Sequence, residues 1–290
     1  MIDFSKYSKT NTFYGGSERK FGVNIDGNEY MIKFQKKNNF GNKRLNHVSE
    51  YIGSHIFEIF GFNAQETILG FYNYEQVVAC KNFVTDDFQF VPFNDVGESS
   101  LEQDKDSYQY SYEDIMIMLE DNRKLTDVEE TIETFWNIYV VDALIGNFDR
   151  HGGNWGFLKK NNKYSLAPIF DNGSCLFPQL IDEDMILKIM SSKELTEERV
   201  YKFPTSQIQL NGKKSSYFEV IDSLSLKECN LAVINICNKY SIEKINKIID
   251  DTPFISNIRK EFYKYILNQR YEKILLSTYN KIKEKIWCKC

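Results

Sequence analysis

The chain has 290 residues, 42% hydrophobic and 15% aromatic content, and a formal net charge of −5. That is too much apolar material for global disorder, too long for one small core and short for two independent enzymes. One compact unit of two lobes is expected. The mild charge decides nothing about partners, but its distribution is uneven: residues 86–133 hold fifteen acids against three bases, and residues 257–290 nine bases against three acids. Two solvated helical faces account for this, and without a reading motif the basic tail gives no reason to expect nucleic acid as a direct partner.

The opening "MIDFSKYSK" lacks the apolar run of a secretory signal, and no stretch approaches the roughly 18 apolar residues of a membrane span. Six cysteines (Cys80, Cys175, Cys229, Cys237, Cys288, Cys290) make no disulfide framework, and the closing Cys288-x-Cys290 is a poor zinc signal by itself. Reduced thiols in a cytoplasmic protein fit best, with export by a signal-free route left open. No membrane partner is expected, and a monomer is.

In chain order, "FGVNIDGNEYMIKF" (21–34) predicts a β-hairpin turning at "DGN", with Lys33 on the face opposite Ile32 and Phe34. Val48, Ile52, His55, Ile56 and Ile59 repeat at helical spacing and Gly61 stops the run, so residues 45–60 are expected to be a helix. "ETILGFYN" and "EQVVACKNFV" read as strands. After a serine-bearing acidic stretch, Thr126 and Glu129 predict a capping box that opens a long helix with Val128, Ile132, Phe135, Trp136, Tyr139, Ala143 and Leu144 on its buried face. Residues 155–170 predict a second hairpin turning at "NN", and 224–287 read as helical. The sum is an α+β fold of two lobes: a small β-rich N-lobe over residues 1–92, ending in a hinge, and a larger, mainly helical C-lobe over 93–290.

Directly after the long helix comes "GNFDRHGGNWG" (146–156). Asp149 and Asn154 lie five residues apart, and Asp171 follows in "IFDNG" after the second hairpin. Phosphoryl transfer needs a carboxylate beside the attacking hydroxyl and hard oxygens that hold Mg²⁺ against phosphates. Protein kinases meet this with an Asp-to-Asn offset of the same length, followed by an Asp flanked by Phe and Gly. Asp, Asn and Gly are also ordinary turn residues, so the joint pattern carries the reading and no single residue does. Lys33 fits the phosphate-contacting strand lysine, and Glu50 on the next helix could pair with it, though the helical wheel leaves Glu50's direction open. "YGGSERKFG" (14–22) precedes the first hairpin and reads as a phosphate-covering loop with Gly15, Gly16 and Ser17. Lys81, Asn82 and Phe83 fall where a hinge would meet adenine. His151 is expected to orient Asp149 by a hydrogen bond.

These residues resemble the HipA-like serine/threonine kinase family, whose N-x-D-x-H-x-x-N motif appears here as Asn147, Asp149, His151 and Asn154. "PIFDNG" resembles its metal-binding segment, "YMIKF" its ATP-lysine strand and "SEYIGSHIFEIFG" the helix that follows. The opening resembles the short CtkA-type members, which lack the extra N-terminal subdomain of full HipA toxins. The resemblance covers roughly residues 10–250. It implies a two-lobed protein-kinase-like fold and an ATP- and Mg²⁺-dependent protein kinase of toxin- or effector-like role. In it Asp149 would be the catalytic base, Asn147 and His151 would support it, Asn154 and Asp171 would ligate metal, and Lys33 would touch phosphate. It further implies protein substrates with serine or threonine acceptors and autophosphorylation of a phosphate-loop serine, Ser17 here. An antitoxin partner is not expected. A nucleotide-binding pseudokinase that acts as an interaction module, or a small-molecule or lipid kinase on the same scaffold, are the alternatives.

Overall fold

The computed structural model describes residues 1–15, 19–85, 87–95, 112–120, 127–210 and 213–287. Gly16, Ser17, Thr126, Cys288 and Cys290 therefore lie outside the described residues.

The N-terminal part is a curled five-stranded sheet in the order β1-β4-β5-β3-β2, with β1 Ile2–Asp3, β2 Lys20–Ile25, β3 Asn28–Phe34, β4 Thr67–Tyr72 and β5 Glu75–Lys81. β2 and β3 form the expected hairpin, Ile25 opposite Asn28. Its two turn residues, Asp26 and Gly27, both have positive φ (49° and 86°), the conformation a two-residue hairpin demands and Asp-Gly supplies. Alternation then sorts the faces. Tyr30, Ile32 and Phe34 pack with Val23, Val77 and Ala79 on one side. Lys33, paired across the ladder with Val78, falls on the other.

That second face is covered by α1 (Asn46–Ile59), whose last turn ends at Gly61 in the left-handed region (φ 85°). Beyond the hinge, β6 (Gln89–Pro92) pairs with β7 (Gly156–Lys160), and β7 with β8 (Lys163–Leu166), in a three-stranded sheet whose hairpin turns at Asn161 and Asn162. α2 (Tyr112–Glu120) precedes α3 (Val128–Ile145), the central helix of the C-lobe, with Trp136, Val140, Val141 and Leu144 fully buried. The cap of α3 is Asp127, whose carboxylate accepts the Glu130 amide. The helix is thus capped one residue later than the expected Thr126–Glu129 box, whose Thr126 lies outside the described residues. α3 stops at Gly146, φ 65°, and so delivers the chain straight into the polar loop.

The rest of the core is helical: α4 (Glu183–Ser191), α5 (Lys193–Glu197), α6 (Tyr217–Asp222), α7 (Lys227–Lys239), α8 (Ile242–Asp251), α9 (Asn257–Arg270) and α10 (Ser277–Trp287), the last two joined through a π-helical stretch. A hairpin not anticipated from the sequence, β9 (Thr205–Leu210) and β10 (Lys213–Ser216), lies beneath the polar loop, where Gln207 donates to the Phe148 carbonyl at 2.8 Å. No helix among the described residues is long and apolar enough to cross a membrane.

Candidate active site

The site is assembled from five places in the chain: the start of β2 with Gly15 before it, β3 and the residues just after it, the first turns of α1, the loop after α3, and the segment after β8. Together they line a cleft of about 280 Å³ that includes Gly15, Lys33, Glu50, Asp149, Asn154 and Asp171.

Lys33 is buried, and its ammonium bonds both Glu50 Oε2 at 3.0 Å and Asp171 Oδ1 at 2.9 Å. The direction left open on the helical wheel is thus inward: Glu50 is 1% exposed. Its second oxygen accepts the Asn172 amide at 2.9 Å, which fixes the backbone next to Asp171. Asp171 itself has φ 57°, an uncommon conformation for a non-glycine residue that turns its carboxylate back to β3. Burial alone would raise the Asp171 carboxyl. The Lys33 charge and hydrogen bond outweigh it and bring it down to about 2. Burial likewise works against charged Lys33, and the paired carboxylates of Asp171 and Glu50 hold its amine well above the ordinary range.

Asp149 sits differently. Burial, with Asp171 adding repulsion, raises its carboxyl above the usual aspartate range, against the lowering influence of His151. His151 Nε2 lies 3.9 Å from Asp149 Oδ1, which is charge-pairing distance and too long for the expected hydrogen bond. The reason is local: His151 Nδ1 accepts the Gly153 amide at 3.0 Å, and this ties the ring to its own turn. Asn147 shapes the loop from behind, donating to Asp142 Oδ1 at 3.0 Å and accepting the Asp149 amide at 3.3 Å. The Asn154 amide nitrogen donates to the Asp149 carbonyl at 2.8 Å, so its side-chain oxygen is the atom left for a cation. With Asp171 this is a hard-oxygen donor pair suited to Mg²⁺, which takes one or two protein ligands and completes its shell with phosphate and water. No cluster of three or more acidic, His or Cys ligands occurs among the described residues.

Other residues singled out in the sequence fall elsewhere. Gly15 lines the cleft, whereas Gly16 and Ser17 lie outside the described residues. Lys81 turns its ammonium to Glu66 at 3.0 Å, both partly exposed, and is not among the cleft residues. Asn82 binds Glu29 twice, backbone amide to carbonyl at 2.8 Å and side chain to carboxylate at 2.9 Å, which pins the hinge to β3. Phe83 packs edge-on against Phe90 and tilted against Phe170, the residue before Asp171.

Sequence reasoning missed the residue that joins these pieces. Arg150 is 7% exposed at its side chain and uses every guanidinium N–H: Nε and Nη2 on the two oxygens of Asp142, Nη1 on the carbonyls of Asn154 and Phe170, Nη2 also on Asn172 Oδ1. It therefore clamps the end of α3, the far side of the polar loop and both flanks of Asp171. Asp142, itself 1% exposed, was the legible signal: a charge inside an apolar helix needs a buried partner. Lys36 and Asn46, which also line the cleft, were missed too.

Comparison with known proteins agrees with this geometry. Residues 12–248 match the family described as HipA-like C-terminal domain. A curated relative, the serine/threonine-protein kinase CtkA of Helicobacter pylori, is 36% identical over 283 residues, spanning 94% of this chain and 86% of that protein. The crystal structure of a proinflammatory kinase CtkA of Helicobacter pylori superposes with a TM-score of 0.91 at 34% identity, covering 98% of both chains. HipA of Shewanella oneidensis, solved with HipB and operator DNA, shares the fold alone, with a TM-score of 0.59 at 14% identity over 95% of this chain and 70% of that one. The chain belongs to the HipA-like C-terminal domain family.

Proposed function

We propose that this chain is an Mg-ATP-dependent serine/threonine protein kinase whose catalytic base is Asp149. The observation that carries the reading is the convergence, in one cleft, of Asp149, Asn154 and Asp171 with a buried Lys33–Glu50 pair. A module that only bound nucleotide would need no carboxylate held apart from the Lys33 cluster and kept basic, and kinship with CtkA supports a protein acceptor. The division at residues 92 and 93, a cytoplasmic setting and a monomeric state go with this proposal.

Asp149 accepts the proton of the serine or threonine hydroxyl as its oxygen bonds to the γ-phosphorus and the bond to the ADP oxygen breaks. A raised carboxyl pKa makes it a better proton acceptor than an ordinary surface aspartate. Mg²⁺, held by Asn154 and Asp171, would neutralise phosphate charge. Lys33, kept protonated and aimed by Glu50, supplies a fixed positive charge on the phosphate side. Gly15 belongs to the loop that covers the phosphates, and Ser17 is its proposed autophosphorylation site, where added charge would repel ATP and switch the enzyme off.

The test is incubation of purified protein with radiolabelled ATP, with and without Mg²⁺. Asp149→Asn should fold as wild type and lose phosphotransfer by a factor of about 100 or more, as expected for removal of a general base. Near-wild-type autophosphorylation by that variant would remove Asp149 from its role. Phosphopeptide mapping that finds only sites other than Ser17 would overturn the autophosphorylation assignment.

A further inference from the structure

Lys33 is shared between two carboxylates, with Glu50 Oε2 at 3.0 Å and Asp171 Oδ1 at 2.9 Å, so it is not free to follow a moving charge. A phosphoryl group in transfer carries its charge on three outer oxygens, and a cation fixed beside them favours the transfer. β3 orders the cleft lengthwise and so shows where such a cation would stand. At its start the Glu29 carbonyl accepts the Asn82 amide at 2.8 Å, which ties the strand to the hinge. Lys33 follows about 13 Å along at the rise of a strand, and Lys36 stands just past the strand end at Phe34, at most about 10 Å beyond Lys33. A nucleotide with its base at the hinge and its inner phosphates at Lys33 points its terminal phosphate toward Lys36.

The backbone of residue 36 is held from two sides. Its amide donates to Asn46 Oδ1 at 2.8 Å, and its carbonyl accepts the Arg44 amide at 2.7 Å. Asn46, 6% exposed, in turn donates to the Phe34 carbonyl at 3.1 Å. It opens α1, the helix that carries Glu50 one turn on, and it backs onto the segment after Asp171: a Cβ on Gly173 would lie 3.3 Å from the Asn46 carbonyl oxygen. Lys36 accordingly lines the same cleft as Asp149, Asp171 and Ser174. Burial acts to raise the carboxyls of both aspartates, and Lys36 is among the charges that act to lower each of them.

We propose that Lys36 is a catalytic residue of this site, whose ammonium binds the terminal phosphate and stays with the phosphoryl group as it is transferred. The acceptor hydroxyl oxygen bonds to the γ-phosphorus, its proton passes to Asp149, and the bond to the β-phosphate oxygen breaks with its electron pair leaving on ADP. Lys36 neither gains nor loses a proton. It offsets the charge on the moving oxygens, while Lys33 stays tied to Glu50 and Asp171. This role presupposes the kinase reading, and nucleotide binding tests it apart from turnover.

The experiment titrates ADP and a non-hydrolysable β,γ-imido analogue of ATP, each with Mg²⁺, into the full chain by calorimetry, beside steady-state phosphotransfer to casein. Lys36→Met should leave the ADP affinity within about twofold of wild type and weaken the analogue roughly tenfold, the scale of one hydrogen bond to a charged group. Its kcat should fall by about a hundredfold, more than its KM for ATP rises, and Lys36→Arg should recover part of both losses. A residue that merely shaped the loop would weaken the two nucleotides alike. Equal weakening of both, an unchanged affinity for the analogue, or a kcat within about threefold of wild type would each overturn the proposal. A wild type that binds both nucleotides and transfers no phosphate would sink the kinase reading, and the ratio of the two affinities in Lys36→Met would still decide whether Lys36 holds the terminal phosphate.

Discussion

Arg150→Met is the perturbation whose size the structure defines best. The substitution keeps most of the side-chain volume and removes five N–H donors that serve Asp142, Asn154, Phe170 and Asn172. Asp142, 1% exposed, is left with Asn147 as its remaining side-chain donor, and removing one partner of a buried ion pair costs about 3–5 kcal/mol. For a chain of this length the unfolding entropy is about 0.6 kcal/mol per kelvin, so the midpoint should fall by about 5–8 °C. Phosphotransfer at a temperature well below that midpoint should fall further than stability predicts, because the clamp sets Asn154 and Asp171 relative to each other. The sign would be an increased Mg²⁺ requirement. Arg150→Met/Asp142→Leu should regain much of the stability, since an apolar pair leaves no buried charge, and little of the activity. Thermal melting and Mg²⁺ titration of both variants test the reasoning. A single variant that melts within one degree of wild type, or a double variant that recovers full activity, would refute it.

Gly53→Ala should be harmful although it lies mid-helix, where alanine is ordinarily better by about 1 kcal/mol. Its Cβ would sit 2.6 Å from Asn172 Cβ and 3.2 Å from Cys175 Sγ, so Asn172 must move off Glu50 and Arg150; a more stable, fully active variant would contradict this. Phosphotransfer should decline on the acid side with a midpoint above that of an ordinary aspartate, since the proposed base, Asp149, would have to be ionised and its pKa is raised, and a rate profile flat down to pH 4 would argue against it. Asp171 is depressed to about 2, so its contribution to stability is complete above its unfolded pKa of about 3.9 and is lost as pH falls through that window. Lys33→Met should flatten this dependence, measured by urea unfolding at several pH values, because Lys33 is its source.

The N-terminal hairpin, α1, α3 and the second hairpin were legible because alternation, helical period and Asp-Gly or Asn-Asn turns are local signals. β9 and β10 were not: Thr205–Leu210 carries no strong period, and its pairing is rewarded by the loop it supports through Gln207. That Asp149, Asn154 and Asp171 would share one cleft was readable from their spacing, because phosphoryl transfer sets that offset. Glu50's inward aim was not, because a helical wheel gives a face and not a partner. Arg150 escaped because an arginine in a loop is usually solvated, and only its fit to Asp142 eight residues back shows otherwise. The His151 hydrogen bond failed for a reason no pattern carries: the Gly153 amide claims the ring first.

The two lobes are stitched as well as hinged. β6 leaves the hinge and at once pairs with β7, residues 63–65 bond to Ile169, and Ser49 and Cys175 exchange hydrogen bonds between α1 and the segment after Asp171. A jaw-like swing of the whole N-terminal sheet would have to break both the seam of residues 63–65 with Ile169 and the Ser49–Cys175 contacts. A disulfide introduced across the Ala64–Ile169 bridge should therefore change turnover little, since those two segments are already held together.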